Sequence, residues 1–120
     1  MKMMTVFNDP EGETRFGEET VDLRAGPMNV EARHSAPEAC KRFYFSELSP
    51  GYKSSNDFAG RRQVCVLISG QLEVRTTNDE ASVIEPGAVV RLEDTGYEMP
   101  GRSMRVIGNE PVRVLVVQLE

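Results

Sequence analysis

Short apolar runs broken by turn residues fill most of this chain and limit what it can fold into. From about residue 40 to the end, the runs are rich in Val, Ile, Leu and aromatic residues, and Gly, Pro, Asn and Asp separate them. Runs of this kind predict β-strands joined by tight turns. No stretch has the sustained periodicity of an amphipathic helix. The pattern therefore predicts an all-β domain of about eight to ten short strands in an antiparallel barrel or sandwich.

The strand boundaries follow from the breakers. Weak strands are predicted near residues 5–7 and 19–23, and clear ones over 41–48, 62–69, 72–77, 81–85, 89–92, 104–107 and 112–119. Gly70 is predicted to supply the positive φ of a hairpin turn between the strands at 62–69 and 72–77. The segment 108–111 is predicted to be the last hairpin turn.

Alternation within the strand at 62–69 divides its side chains between two faces. Gln63, Cys65 and Leu67 share one face, and the intervening residues, Val64, Val66 and Ile68, share the other. Both faces are apolar enough to be buried. This predicts a barrel wall that is covered on its outside by another strand or by a partner.

The spacing of five residues resembles a known family motif. Gly51, Asp57, Ala59, Gln63 and Gly70 are separated by five, one, three and six residues. This is similar to the first motif of the cupins, which is a Gly, then His-x-His, then Glu, then Gly. The segment from residue 20 to the end also resembles a group of small bacterial cupins.

A second segment resembles the end of the second cupin motif, Gly-x-x-His-x-x-x-Asn. Here Gly96, Met99 and Ser103 have the same spacing. The resemblance implies a cupin double-stranded β-helix, that is, a jelly-roll barrel. It implies one domain over 1–120 with a barrel core over 40–120. It also implies a homodimer, in which N-terminal strands within 1–24 could be exchanged between subunits.

The metal-ligand positions of these motifs hold unsuitable residues. Asp57 and Ala59 stand where the family has two histidines, Gln63 where it has glutamate, and Met99 where it has the third histidine. One carboxylate, one amide and one thioether are a poor set for zinc, iron or manganese. We therefore predict no metal and no cofactor.

The same positions predict a ligand site inside the barrel. Gln63, Cys65 and Met99 are expected to line the lumen, with Asp57 at one side. Tyr44 is a further candidate for ligand binding, although its aromatic-rich strand also suits simple packing. Cys65 suits a small core residue equally well.

Proton-transfer chemistry would need an acid and a base. The candidates are Asp57, whose carboxylate could act as a base in an apolar cavity, the single histidine His34, and Tyr97 near the rim. His34 is equally explained as a solvated loop residue. These residues support an alternative function, a metal-independent isomerase, epimerase or cyclase.

Charge and cysteine content restrict the partners. The formal net charge is -5 and no basic cluster is present, which disfavours nucleic acid. No membrane-spanning or targeting segment is apparent, and the two cysteines are expected to be reduced in the cytoplasm. The leading interpretation is a small-molecule-binding cupin without the metal histidines. A metal-dependent oxygenase is a third interpretation that the family suggests and these residues do not support.

Overall fold

The computed structural model describes residues 1–27, 31–96 and 101–120. These residues contain strands and turns but no helix, which confirms the all-β prediction. The strands are β1 (Lys2–Asn8), β2 (Thr14–Thr20), β3 (Arg24–Ala25), β4 (Arg33–His34), β5 (Cys40–Leu48), β6 (Lys53–Asp57), β7 (Gln63–Ser69), β8 (Gln71–Arg75), β9 (Ala81–Ile84), β10 (Val89–Glu93), β11 (Arg102–Ile107) and β12 (Val112–Leu119).

Two sheets face each other. The larger has the order β2-β1-β10-β7-β12-β5, and the smaller has the order β6-β11-β8-β9. β1 runs parallel to β10, whereas every other pairing in these two sheets is antiparallel. β3 and β4 form a separate two-stranded ribbon. Among the described residues the sheets are not joined into a closed ring of paired strands.

The two predicted hairpins at Gly70 and 108–111 are wrong. β7 and β8 belong to different sheets, and so do β11 and β12. Gly70 does have a positive φ, 77°. It uses this conformation to carry the chain around a corner from one sheet to the other. A Cβ atom at Gly70 would lie 2.7 Å from the Pro111 carbonyl oxygen, so the two corners touch. In contrast, β8 and β9 do form a hairpin, across residues 76–80.

The N-terminal hairpin lies earlier in the chain than predicted. β2 ends at Thr20, whereas a strand was expected over 19–23. The turn before β2 is local, because Asp9 Oδ1 accepts hydrogen bonds from the amides of Glu11 and Glu13. β2 is mostly polar, so alternation of hydrophobic residues gave no signal for it.

The core fills the space between the sheets. It comprises Val6, Leu67, Leu72, Val74, Ile84, Val90, Val106 and Val112. Because side chains alternate along each strand, every second residue of β7, β10, β11 and β12 points into this space. β1 contributes Val6, which is 1% exposed, so the N-terminal strand is part of the core of its own chain.

Candidate functional site: a cavity between the two sheets

An apolar cavity lies inside the core. Its volume is about 240 Å³. This is slightly below the range of roughly 300–1,000 Å³ that is usual for small-molecule sites. The six-stranded sheet lines it with side chains such as Leu67, Val90 and Val116, and the four-stranded sheet with Leu72, Val74 and Met104. The cavity therefore suits a small ligand with a largely apolar body.

A few polar side chains interrupt this apolar lining. The polar lining residues are Ser46, Tyr52, Gln63, Cys65 and Arg102. Gln63 and Cys65 lie on the inward face of β7, and the Cys65 thiol is 4.0 Å from Gln63 Oε1. Burial raises the pKa of Cys65 to about 11. The thiol is therefore protonated near neutral pH and is a poor nucleophile.

Arg102 is the one charged side chain among the described lining residues. Its guanidinium Nη1 donates a hydrogen bond to Asp94 Oδ2 in an ion pair that is almost fully buried. Burial raises the pKa of the Asp94 carboxyl above its ordinary value, although the neighbouring Arg102 acts in the opposite direction. Two atoms of the pair, Arg102 Nε and Asp94 Oδ1, are buried without a hydrogen-bond partner in the described part of the chain. An ion pair with incompletely satisfied hydrogen bonds therefore lies beside an apolar cavity.

Sequence reasoning missed this pair. The strand here was predicted to start at residue 104, so Arg102 was not assigned to it. β11 in fact starts at Arg102, and both residues line the cavity. Extending the strand by two residues would have placed Arg102 on the inward face by alternation.

Asp57 lies near this end of the cavity but is not among its lining residues. It ends β6 and is paired in register with Arg102 of β11. Its carboxylate accepts a hydrogen bond from the Ser54 hydroxyl. The neighbouring motif residue Ala59 is 1% exposed, and its amide donates to the Asp94 carbonyl at 3.1 Å. Of the three described motif positions, only Gln63 therefore lines the cavity.

Two other candidate residues, His34 and Tyr44, do not line the cavity. His34 is exposed on the β3–β4 ribbon, where it pairs with Arg24. Tyr44 of β5 is 44% exposed and is not a lining residue. Tyr97 and Met99 lie outside the described residues. Within the described chain, the cavity does not bring His34 and Asp57 together.

No group of three or more His, Cys, Asp or Glu side chains that could hold a metal ion occurs in the described ranges. Gln63 lines the cavity, Ala59 offers no donor atom, and the Asp94 carboxylate is already paired with the lining residue Arg102. The donors at the described motif positions do not suit a transition metal. No described helix is long and apolar enough to span a membrane.

Comparison with solved structures identifies the architecture. The chain is similar to the Cupin_2 domain of an XRE family transcriptional regulator from Enterobacter cloacae, with 25% identity, coverage of 65% of this chain and 79% of that chain, and a TM-score of 0.50. It is also similar to a predicted oxalate decarboxylase from Thermotoga maritima, with 17% identity, coverage of 98% and 93%, and a TM-score of 0.50. NovW, a 4-keto-6-deoxy sugar epimerase from Streptomyces spheroides, matches with 14% identity, coverage of 95% and 67%, and a TM-score of 0.47. No family model and no curated protein sequence matches the chain.

Proposed function

Because this chain has the cupin fold, a double-stranded β-helix, we propose that it is a small-molecule-binding cupin whose ligand occupies the cavity between the sheets. The observation that carries the proposal is an apolar cavity of about 240 Å³ with one buried charged side chain, Arg102, in its wall. An apolar pocket with a few convergent polar groups is the usual form of a ligand site. The proposal involves no metal and no cofactor.

The cavity volume limits the size of the ligand. An apolar cavity of about 150 Å³ is large enough to bind benzene. A cavity of about 240 Å³ therefore admits a single ring with a short substituent. Larger ligands, such as nucleotides or disaccharides, exceed this space.

The ion pair indicates what polar group the ligand carries. Arg102 alone would favour a carboxylate, but Asp94 neutralises it and would repel a second anion. A neutral hydrogen-bonding group, such as a hydroxyl or an amide, avoids this repulsion. We therefore propose a neutral monocyclic ligand.

Binding is favoured over catalysis by the position of the candidate acid and base. Asp57 is hydrogen-bonded to Ser54 outside the cavity wall, and His34 is on the exposed ribbon. The alternative, a metal-independent isomerase, epimerase or cyclase that uses Asp57 with a tyrosine or His34, would need Asp57 to reach the ligand. The cytoplasm remains the expected location, since Cys40 and Cys65 are both free.

Thermal shift measurements with benzyl alcohol, benzamide and benzoate test the proposal. We expect the two neutral probes to raise the melting temperature, because binding stabilises the native state in proportion to ln(1 + [L]/Kd). We expect benzoate to raise it much less, because Asp94 would repel its carboxylate. Failure of all three probes at millimolar concentration would contradict a ligand site of this chemistry.

Matched variants test whether the probes bind in the cavity. Ile84 faces the cavity, whereas its neighbour Val83 is exposed on the outer side of the same strand. Ile84→Trp should fill the cavity and abolish the shift, and Val83→Trp should leave it intact. The double variant Arg102→Met with Asp94→Leu should still bind toluene. It should no longer bind benzyl alcohol more tightly than toluene. Retention of the full shift in Ile84→Trp would contradict binding in this cavity.

A further inference from the structure

The edge strand β5 carries inward-facing side chains that lead from the cavity to solvent. Ser46 and Leu48 of this strand line the cavity. Arg42 and Tyr44 are on the same face, because side chains alternate along a strand. Both are exposed, Tyr44 by 44%. The space between the two sheets therefore opens to solvent at the Arg42 end of β5, and we call this opening the mouth.

Strand register places two glutamine side chains beside Arg42. Gln118 of β12 lies opposite Arg42 on one side and opposite Gln63 of β7 on the other. Residues that lie directly opposite each other on neighbouring strands share a face of the sheet. The Arg42 Nε atom donates a hydrogen bond to Gln118 Oε1, and Gln63 lines the cavity. These three side chains therefore form a polar row that connects the mouth with the cavity wall.

Arg42 differs from several other arginines of the chain in its partner. Arg91, Arg102 and Arg113 each bind a carboxylate. Within the described residues, the side chain of Arg42 instead binds the neutral carboxamide of Gln118. An arginine has five N–H donors, and this hydrogen bond uses only the one at Nε. The charge of Arg42 and the donors of its two Nη groups are therefore available to a ligand.

We propose that Arg42 binds a carboxylate that the ligand carries on a short chain leaving the cavity, an inference that rests on the function proposed above. A guanidinium is planar and can bind both oxygens of a carboxylate at once. One positive charge matches one negative charge. The formal net charge of -5 disfavours a more highly charged group such as a phosphate dianion. The ligand class is therefore a ring with a side chain that ends in a carboxylate.

A carboxylate at the mouth is compatible with a neutral group inside the cavity. Asp94 follows β10, whereas the guanidinium of Arg42 binds Gln118 on β12, two strands away across β7. Two strand spacings amount to about 10 Å. This exceeds the screening length of roughly 8 Å at physiological ionic strength. Asp94 therefore repels an acid inside the cavity much more than an acid at Arg42.

A series of aromatic acids with increasing chain length tests the proposal. Calorimetric titration compares each acid with its amide, from benzoate and benzamide through phenylacetate and hydrocinnamate to phenylbutyrate and phenylbutyramide. We expect benzoate to bind more weakly than benzamide. Phenylbutyrate should bind about fivefold more tightly than phenylbutyramide, because only the longer chain reaches Arg42. Added salt should reduce this preference, since it screens charges at an exposed mouth.

Variants identify the residue that causes the preference. In Arg42→Gln, the ratio of the affinities of phenylbutyrate and phenylbutyramide should fall to about one, and Arg42→Lys should retain part of the preference. Arg113→Gln is the matched control, because it removes an exposed arginine from the neighbouring strand β12. It should leave the ratio unchanged. Ile84→Trp should abolish binding of both compounds, because their ring needs the cavity.

The outcomes separate the role of Arg42 from the function proposed above. If benzyl alcohol binds but phenylbutyrate binds no more tightly than its amide, the role of Arg42 is wrong and the ligand site in the cavity stands. An affinity ratio that is unchanged in Arg42→Gln, or phenylbutyrate binding that persists in Ile84→Trp, would also overturn the role of Arg42. If neither benzyl alcohol nor any member of the series binds, both proposals are wrong.

Discussion

The two cysteines differ sharply in environment, and this predicts their reactivity. Cys40 is exposed at the start of β5, whereas Cys65 is in the cavity wall with a pKa of about 11. Since the thiolate is the reactive form, one thiol per chain should react rapidly with Ellman's reagent at pH 8 and the other slowly. Cys40→Ser should remove the rapid phase, and Cys65→Ser should leave it. Two rapid thiols in the folded protein would contradict the buried position of Cys65.

At the residue scale, the sequence predicted those lining residues that lie inside a clear strand. Gln63 and Cys65 were expected on the inward face of β7, and both line the cavity. Arg102 was not expected, because a charged residue at a strand end carries no hydrophobic signal. The inward position of Arg102 depends on its ion pair with Asp94, which follows β10 in the sequence. The two residues come together only in the folded chain. Such pairing between distant residues cannot be read from local pattern.

At the scale of elements, the corner at Gly70 predicts a specific loss of stability. Gly70 has a φ of 77°, and an added Cβ atom would lie 2.7 Å from the Pro111 oxygen and 2.9 Å from Val112 Cγ2. Gly70→Ala should therefore lower the free energy of unfolding by about 2–4 kcal/mol, since backbone strain and overpacking combine. Gly87 has a similar φ of 89° with no atom within 4 Å of its would-be Cβ. Gly87→Ala should cost only about 1 kcal/mol. Equal losses in urea unfolding would show that contact at the corner is unimportant.

The ion pair between Glu38 and Arg91 of β10 should make the stability of the protein depend on pH. The hydrogen bond with Arg91 holds the pKa of Glu38 below the ordinary value of 4.5, although partial burial opposes this. A lowered folded pKa means that the contribution is present above about pH 4.5 and is lost as pH falls through the folded value. Because Glu38 is about half exposed, Glu38→Gln should cost roughly 0.5–1 kcal/mol at pH 7 and almost nothing near pH 3.

Urea unfolding at the two pH values measures this effect. Glu47→Gln is the control, because Glu47 pairs with Arg113 where both side chains are more than half exposed. It should change stability little at either pH. A loss in Glu38→Gln that is the same at pH 3 and pH 7 would show that the ion pair with Arg91 is not its cause.

Turn chemistry explains why the elements were predicted better than their connections. The positive φ of Gly70 was correctly expected, but a positive φ serves a hairpin and a corner between sheets equally. Which one forms depends on whether β8 finds its partners in β11 and β9 or in β7. That choice is made by packing of the two apolar faces across the core, and it has no local signature.

At the scale of the whole molecule, the cupin architecture was recognisable because motif spacing survives changes in the motif residues. Gly51 and Gly70 have positive φ values, 86° and 77°, at the two ends of the first motif. Both positions therefore have the backbone conformation that favours glycine, whereas the positions between them hold no histidine. The apolar outer face of β7 was anticipated, whereas its continuation onto β12 and β5 depends on strand order.

The residues at the motif positions predict the metal content. Cupin-type metal binding needs several donors that point to one place, and position 59 provides only a buried methyl group. The Asp94 carboxylate is already paired with Arg102 and is not free to bind a cation. Elemental analysis of the purified protein should find well under one equivalent of iron, zinc, nickel or manganese per chain.

Restoring donors tests whether the frame still positions them. The triple variant Asp57→His, Ala59→His, Gln63→Glu should gain affinity for zinc or nickel if side chains at these positions converge, and a variant with Ala59→His alone should gain much less. Calorimetric titration with each metal measures the difference. Stoichiometric metal in the unaltered protein that is lost in Gln63→Ala would contradict the predicted metal-free state. Equal affinity in the triple and single variants would instead show that the three positions no longer converge.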